Sequence, residues 1–189
     1  SASTMTMMPK QDPLSAIPTL PHPLNNDYQY LQLSVSKQYP AVTIVALDRP
    51  AKRNAMNATL WKEIGHVFSV LGRIGDGCRC VLLTGAGSCF SAGIDVTDPT
   101  FLMTKDNTNV AHTGLTFLPK LRQMQACFTA VEQCPIPVVA AIHGYCMGAG
   151  VDLVSCADIR LCHCTTVFGV AEVALGLAAD VGTLQRCPR

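Results

Sequence analysis

The sequence predicts an α/β fold, and two features of the chain carry that prediction. Short apolar runs of strand length alternate with longer segments whose apolar residues recur at helical spacing, in the order β-β-α-β-α-β-α-β-β. The composition is 49% apolar and only 14% charged, which is typical of a globular protein with a large core. At 189 residues the chain is long enough for one well-buried domain.

The chain begins with a proline-rich segment. Residues 1–27 contain five prolines, so we expect an irregular N-terminal arm or leader there and the core domain over 28–189. Residues 30–36 alternate between apolar and polar side chains, which indicates a strand, and residues 41–47 form a second apolar run. With a turn at Tyr39-Pro40 between them, these two segments predict an antiparallel hairpin.

The middle of the chain alternates helices with buried strands. A helix capped by Asn57 or Thr59 is predicted up to residue 71, because apolar residues follow at helical spacing. A short strand over 80–84 runs into a glycine turn and a loop over 90–95. Residues 96–114 show no clear period, residues 115–134 predict a long helix, and residues 138–142 predict another buried strand.

The last third is organised around a glycine-dense turn over 142–150. It ends a buried strand and begins a helix that we expect to reach about residue 157. Short strands over 159–162 and 166–168 follow, and a final helix begins at Gly182. No internal repeat is evident.

Composition excludes several functional classes. The net charge is +1 and basic residues form no run, so a nucleic-acid partner is not expected. No run of eighteen apolar residues occurs, so no membrane span is expected. The ten cysteines lack the C-x-x-C spacing of zinc or redox motifs, so we expect ordinary thiols and no metal site.

The two strand-to-glycine turns are the first candidate site. A dinucleotide fingerprint fails because Phe90 stands where the third glycine belongs, and neither a P-loop nor a nucleophile elbow is present. The turns could serve only to reverse the chain. Alternatively, backbone N–H groups of Ala92 and Ala149 could converge as an oxyanion hole for a thioester oxygen that becomes an enolate.

Three carboxyl groups form the second candidate site. Asp152, Glu172 and Asp180 each have apolar sequence neighbours, and carboxyl groups in apolar surroundings hold protons more tightly, as proton-transfer catalysts require. Asp180 has a structural alternative, because it could cap the helix that begins at Gly182. Asp158, which precedes a strand, is interpreted as structural.

A small basic loop near residue 50 has two open interpretations. Arg49, Lys52 and Arg53 could form a solvated turn, or they could contact a phosphate group.

With these residues in view, the chain from about Tyr30 onward resembles the enoyl-CoA hydratase/isomerase (crotonase) superfamily. Several motifs in the same order carry the resemblance: LDRP at 47–50, RNAM at 53–56, LLTGAG at 82–87, CFSAGID at 89–95 and PVVAAIHGYCMGAG at 137–150. Within the superfamily, the segments 150–160 and 172–186 are most similar to Δ3,5-Δ2,4-dienoyl-CoA isomerases. A hydratase is expected to carry Glu at position 152 and no acid at position 180, whereas this chain has Asp152 and Asp180.

The resemblance implies a spiral of stacked ββα units, and the chain as given is expected to lack the C-terminal helical trimerisation region. It implies an acyl-CoA thioester substrate, no cofactor because coenzyme A belongs to the substrate, and a homotrimer or hexamer if that region is present. It implies mitochondrial or peroxisomal fatty-acid β-oxidation.

The implied catalytic residues are Glu172, Asp180 and Asp152, with oxyanion N–H groups from Ala92 and Ala149. The implied substrate-binding residues are Arg53, Ala55, Ala92, Gly93, Ile94, Asp95 and Gly148. The implied reaction is a proton shift from C2 to C6 of 3,5-dienoyl-CoA. The alternatives are an enoyl-CoA hydratase, a Δ3,Δ2-enoyl-CoA isomerase, a non-catalytic CoA- or RNA-binding relative, and a serine hydrolase.

Overall fold

A twisted six-stranded sheet forms the centre of the molecule. The computed structural model describes residues 18–71, 77–100 and 110–187. The strands are β1 (Thr19–Pro21), β2 (Leu31–Ser36), β3 (Val42–Leu47), β4 (Cys80–Gly85), β5 (Val138–Ile142), β6 (Tyr145–Met147), β7 (Ile159–Cys162) and β8 (Val167–Gly169). The helices are α1 (Ala58–Val70), α2 (Val110–Glu132), α3 (Ala149–Ser155) and α4 (Thr183–Arg186), and 3-10 turns cover Pro23–Asp27, Pro50–Lys52 and Glu172–Leu175.

The order of strands in the main sheet is β1-β2-β3-β4-β5-β7. The pair β2–β3 is antiparallel, with Leu31 opposite Leu47, and β3, β4, β5 and β7 are mutually parallel. The alternation along 30–36 turns Leu31 and Leu33 into the core, where they are 4% and 1% exposed. The predicted α/β class and hairpin are therefore confirmed.

The N-terminal prediction is wrong in its last third. We expected an irregular arm over 1–27, but Thr19–Pro21 form an edge strand antiparallel to β2, with Thr19 opposite Ser36. Prolines are compatible with a sheet edge, because an edge strand leaves one row of N–H groups unpaired. Residues 1–17 of the predicted arm lie outside the described residues.

Helices α1 and α2 pack together on the sheet. The Asn57 side chain accepts a hydrogen bond from Leu60 N at 2.9 Å, so Asn57 is the cap among the two candidates. Trp61 of α1 stacks on Phe128 of α2 with ring centroids 4.4 Å apart, and its indole N–H donates to Met124 O. The helix predicted over 115–134 is therefore present, although α2 begins earlier, at Val110.

The parallel strands deliver the glycine turns to one edge of the sheet. Strands β4 and β5 end at Gly85 and Ile142, and the chain leaves both into turns. A second, two-stranded sheet of β6 and β8 lies beyond them, and Ser91 bridges to Cys146 of β6. This small parallel pair was not predicted as such, because residues 145–147 lie inside the glycine turn. It brings the loop after β4 against the start of α3.

None of the helices in the described part of the chain combines the length and apolarity needed to cross a bilayer. All ten cysteines lie in that part, and none of them forms a disulfide.

Candidate active site

A cavity of about 670 Å³ opens between α2, the loop after β4 and the start of α3. The loop contributes one side of it, which we call the loop wall (residues 92–98). Asp152 and residues 171–181 contribute the opposite side, which we call the acid wall. Side chains of α2 close the cavity between the two walls with largely apolar groups: Thr116, Phe117, Lys120, Leu121 and Met124.

Asn54 anchors the loop wall from beneath. Its side chain is fully buried, its amide donates to Ala86 O and Cys89 O at 2.9 Å each, and its Oδ1 accepts from Arg49 N at 2.9 Å. Asn54 adopts φ 54°, a left-handed conformation that asparagine tolerates better than most residues. These hydrogen bonds connect the turn over residues 50–54 to the loop after β4. They therefore fix the position of that loop.

The prediction that Ala92 is an oxyanion donor is wrong, because its N–H already donates a hydrogen bond to a backbone carbonyl. Ala92 N donates to Arg53 O at 2.8 Å. The next residues form a parallel bridge to Met56, in which Met56 N donates to Gly93 O and Asp95 N donates to Met56 O. In such a bridge the residue between the two bonds points its own N–H the other way. That residue is Ile94, whose N–H has no partner among the described residues and which lines the cavity.

Ala149 supplies the second backbone N–H. It is the first residue of α3, so its N–H has no intrahelical acceptor, and it too is without a partner in the described part of the chain. Gly93 and Gly148 precede the two donors with φ of 93° and 48°. A Cβ on Gly93 would lie 2.8 Å from Met147 O and 3.7 Å from Ala149 N, so the two arms are in contact.

The acid wall brings Asp152, Glu172 and Asp180 to the same cavity, as the sequence led us to expect. Asp152 lies in the first turn of α3 and is completely buried. Both carboxylate oxygens of Glu172 are buried and have no hydrogen-bond partner among the residues that the structure describes, and Oε1 would lie 3.3 Å from a Cβ placed on Gly148. Glu172 is therefore next to the Ala149 arm.

The environment of the acid wall favours protonated carboxyl groups. Burial raises the pKa of Glu172, and the charges of Asp152 and Asp180 raise it further. Burial also raises the pKa of Asp180, again with a contribution from Asp152. The charge of Asp152 thus contributes to the raised pKa of both Glu172 and Asp180.

Asp152 also performs the capping role that we had considered for Asp180. Its Oδ1 accepts hydrogen bonds from the N–H (2.6 Å) and the hydroxyl of Thr183, the first residue of α4. Gly182 occupies the cap position and no side chain next to it caps the helix. The Asp180 carboxyl is consequently not used as a cap. Asp158 accepts from Val138 N at 2.8 Å, which confirms its structural role.

The residues expected to bind substrate divide into two groups. Ala55, Ala92, Gly93, Ile94, Asp95 and Gly148 line the cavity, whereas Arg53 does not. The Asp95 carboxylate is already occupied by Thr97 and by Arg49, which lies 3.1 Å away. The hydrogen bonds from Thr97, together with Arg49, lower the pKa of Asp95. We conclude that the ion pair of Asp95 and Arg49 holds the loop wall in place. For Arg49, therefore, neither the solvated turn nor the phosphate contact predicted for the basic loop holds.

Sequence reasoning named Ile94 only as a substrate-binding residue and missed its N–H as a donor, and it missed Thr183 altogether. Ile94 could have been found, because it follows a glycine as Ala149 follows Gly148, and a glycine with positive φ turns the next N–H away from the strand. Thr183 gave no signal, since its contact with Asp152 spans 31 residues. Within residues 18–71, 77–100 and 110–187, no three His, Cys, Asp or Glu side chains are grouped as metal ligands.

Comparison with known proteins finds relatives of this chain. A family model described as enoyl-CoA hydratase/isomerase matches residues 37–189. The mitochondrial Δ3,5-Δ2,4-dienoyl-CoA isomerase of Mus musculus is 44% identical over 165 residues, which cover 87% of this chain and 50% of that protein. The peroxisomal enzyme of the same name from Arabidopsis thaliana is 36% identical, covering 85% of this chain and 58% of that protein.

Solved structures agree with the fold. A putative enoyl-CoA hydratase from Streptomyces coelicolor A3(2) superposes with a TM-score of 0.72 at 29% identity, covering 90% of this chain and 57% of that one. One from Thermobifida fusca YX, in complex with acetoacetyl-CoA, gives 0.68 at 28% identity, covering 84% and 60%. The chain thus spans about half the length of the curated relatives it matches.

Proposed function

Because this chain belongs to the enoyl-CoA hydratase/isomerase family, we propose that it isomerises 3,5-dienoyl-CoA to 2,4-dienoyl-CoA. One observation carries the proposal: three carboxyl groups face one cavity opposite two backbone N–H groups without partners among the described residues. A reaction that moves a proton between two distant carbons of one thioester needs both features.

The two backbone donors bind the thioester oxygen. In the bound substrate this oxygen accepts from Ile94 N and Ala149 N, which replace the pair expected from sequence. When the C2 proton is removed, negative charge develops on that oxygen, and donors already aimed at it stabilise the enolate. Removal of one such donor typically costs about 3 kcal/mol of barrier.

The acids carry the proton transfers. Glu172 takes the proton from C2, and the electron pair of the broken C–H bond spreads along the conjugated chain as an extended enolate. Protonated Asp180 delivers a proton to C6, which leaves double bonds at C2–C3 and C4–C5. One proton is removed and one is added, so Glu172 ends protonated and Asp180 ionised, and proton exchange with solvent, to which Asp180 is exposed, resets both groups. Asp152 is the third acid, whose charge tunes the other two.

The raised pKa values suit these roles. A raised pKa makes Glu172 a stronger base towards a carbon acid, and it keeps a larger fraction of Asp180 protonated. Two acids are used because C2 and C6 are too far apart for one carboxyl group to reach both. The chemistry calls for no cofactor, since coenzyme A is part of the substrate.

The named relatives support the same reaction and suggest its setting. The proteins called dienoyl-CoA isomerase include mitochondrial and peroxisomal ones, so we place this protein in fatty-acid β-oxidation in one of these compartments. We also propose a homotrimer or hexamer for the protein when C-terminal helices are present. Large apolar side chains of β7 and of residues 173–177 are 45–77% exposed, and an assembly would bury them.

An enoyl-CoA hydratase is the second candidate, because the structural neighbours are called putative hydratases. It needs two acids that activate a water molecule at a 2-enoyl thioester. A non-catalytic CoA-binding relative is the third.

Product analysis separates these functions. The purified full chain is given 3,5-dienoyl-CoA and, separately, 2-enoyl-CoA, and the products are identified by mass spectrometry and NMR. We expect a 2,4-dienoyl thioester of unchanged mass from the first substrate and little reaction with the second. A product heavier by one water molecule from 2-enoyl-CoA, without isomerisation of the diene, identifies a hydratase. Binding without turnover of either identifies a non-catalytic protein.

A further inference from the structure

Thr183 makes two hydrogen bonds to one oxygen of a catalytic candidate. Its N–H and its hydroxyl both donate to Oδ1 of Asp152, the former at 2.6 Å. Thr183 is 3% exposed and Asp152 is completely buried, so water does not compete for these bonds. Hydrogen bonds to a buried carboxylate are stronger than those between neutral groups.

The second oxygen of Asp152 makes no hydrogen bond within the described part of the chain. Oδ2 is buried there without a partner, although Asp152 lines the cavity together with Glu172 and Asp180. Because the two donors of Thr183 fix Oδ1, the carboxyl group cannot rotate without losing both bonds. Oδ2 is therefore the oxygen available to interact with the other acids.

Thr183 is itself held in place from α2. Arg186 binds Glu132 of α2 at 2.7 Å and donates to Val181 O. Gln125, also on α2, donates to Asp180 O at 2.7 Å. The segment that carries Asp180 and Thr183 is thereby fixed to the helix that closes the cavity.

Groups from every neighbouring element face Asp152. Glu172 and Asp180 share the cavity with it, and Lys120 of α2 lines the same cavity. At the C-cap of α3, the Cys156 thiol donates to Asp152 O. From α4, Arg186 is near enough that the charge of Asp152 contributes to raising the pKa of Arg186, an effect led by its hydrogen bond to Glu132. Thr183 is neutral and donates to the carboxylate itself, so it can orient that group without changing the charge of the site.

Building on the function proposed above, we propose that Thr183 is a positioning residue for the proton transfer: by holding Oδ1 of Asp152 it keeps Oδ2 directed at Glu172 and the cavity. The plain alternative is that Thr183 only joins α4 to α3. The two roles differ in one respect. A residue that only connects the two helices contributes to stability alone. A positioning residue also affects the proton affinity of Glu172, because the charge of Asp152 contributes to the raised pKa of Glu172.

The kinetic test compares Thr183→Val with Thr183→Ser. Valine removes the hydroxyl and keeps the backbone N–H, and serine restores the hydroxyl. Thr183→Ala is measured beside them, in case the valine variant does not fold. Thr84→Val is the matched control, because its buried hydroxyl donates to Ala141 O at 3.0 Å away from the cavity.

For Thr183→Val we expect kcat to fall about tenfold, which is about 1.4 kcal/mol of barrier. We expect KM to change by less than about twofold, because the substitution removes no interaction that binds the substrate in its ground state. The limb of the kcat–pH profile that reports the base should move to lower pH. Thr183→Ser should restore both quantities, and Thr84→Val should change neither. An unmoved pH profile in both Thr183→Val and Thr183→Ala contradicts the positioning role.

A titration separates this inference from the proposed function. The carboxyl carbons of Glu172 and Asp180 are followed by ¹³C NMR against pH in the purified full chain and in the variants. In Thr183→Val the carboxylate of Asp152 is no longer held by the hydroxyl. The titration midpoint of Glu172 should therefore move to lower pH by about 0.5 unit or more. The midpoint should stay in Thr183→Ser and Thr84→Val.

The outcomes are distinct. A shifted midpoint in a protein that does not isomerise dienoyl-CoA supports the positioning of Asp152 and contradicts the proposed reaction. An unchanged midpoint in both Thr183→Val and Thr183→Ala, or an equal shift in Thr84→Val, overturns the inference whether or not the protein is active.

Discussion

The two walls of the cavity shift the pKa values of their carboxyl groups in opposite directions. On the loop wall, Asp95 and Asp98 accept hydrogen bonds from Thr97, Ala58 and Thr100, and these bonds lower the pKa of both aspartates. On the acid wall, the buried Glu172 carboxylate accepts no hydrogen bond from any described residue, and the pKa values of Glu172 and Asp180 are raised. On the loop wall the carboxylates hold the loop in place, whereas on the acid wall Glu172 and Asp180 remain able to exchange protons.

This difference explains how one cavity combines rigid and reactive parts. Backbone donors work only when they are aimed in advance, so the loop that carries Ile94 N is fixed by Asn54, Arg49 and Asp95. General acids and bases work only when their proton affinity lies near the operating pH, which requires them to lack strong donors. The two walls can therefore be tested by separate substitutions.

Removing a carboxyl group of the acid wall should have the largest effect. We expect Glu172→Gln and Asp180→Asn each to lower kcat by about 10²- to 10⁴-fold, because each removes one proton-transfer group. The acyl-CoA dissociation constant, measured by calorimetry, should change little. Asp48→Asn is the control, since Asp48 is an exposed aspartate away from the cavity. Full turnover by the Glu172→Gln/Asp180→Asn double variant contradicts the assignment of the acids.

Moving the loop wall should have the next largest effect. In Gly93→Ala the new Cβ meets Met147 O at 2.8 Å, and φ of 93° strains any side chain at this position. The Ile94 N–H should shift, and kcat should fall about 10²-fold or more if its alignment is lost. Gly77→Ala is the control, because Gly77 also has a positive φ but its Cβ would meet nothing within 4 Å. Similar activity of the two variants speaks against a donor role for Ile94.

The bracing of the loop wall can be measured as stability. Asn54→Ala removes three hydrogen bonds and leaves buried backbone groups unpaired, so we expect a loss of about 3 kcal/mol in the free energy of unfolding in urea. Asn57→Ala removes the helix cap alone and should cost about 1 kcal/mol. Equal losses indicate that Asn54 does not brace the loop.

The opposite pKa shifts predict opposite dependences of stability on pH. The lowered pKa of Asp95 contributes stability that is present above the unfolded-state pKa of about 3.9 and is lost as the pH falls through the folded value. The raised pKa of Glu172 contributes stability that is present below about pH 4.3 and is lost as the pH rises through the folded value.

These signs are tested by thermal unfolding at several pH values. Glu172→Gln should therefore raise the neutral-pH unfolding temperature slightly, by about 3 °C for a gain of about 1 kcal/mol, whereas Asp95→Asn should lower it. The two variants should differ from wild type at neutral pH and converge towards it at low pH. Changes of the same sign in both variants refute the contrast between the walls.

The sequence predicted those parts of the fold that depend on local pattern. The hairpin of β2 and β3, the cap at Asn57 and the buried β5 each follow from period, composition or spacing within a few residues. The edge strand β1 was missed, because its prolines suggest irregular structure and its pairing with β2 is visible only in three dimensions.

The candidate site was predictable to the extent that it depends on residue type. Three acids in apolar surroundings could be picked from sequence, and the structure brings them to one cavity. The donor at Ile94 was misassigned to Ala92, because the direction of an N–H depends on a bridge to Met56, 38 positions earlier. The role of Thr183 depends on a contact across 31 residues, which no local pattern encodes.

The central claim is that separate acids remove the C2 proton and deliver the C6 proton. Isomerisation of 3,5-dienoyl-CoA by the purified full chain in D₂O tests it most directly, with the position of the label read by NMR and mass spectrometry. Because Asp180 is exposed and exchanges with solvent, the account predicts one deuterium at C6 of the 2,4-dienoyl product. Transfer of the original C2 proton to C6 without solvent label would show that one group serves both carbons, and would contradict the account.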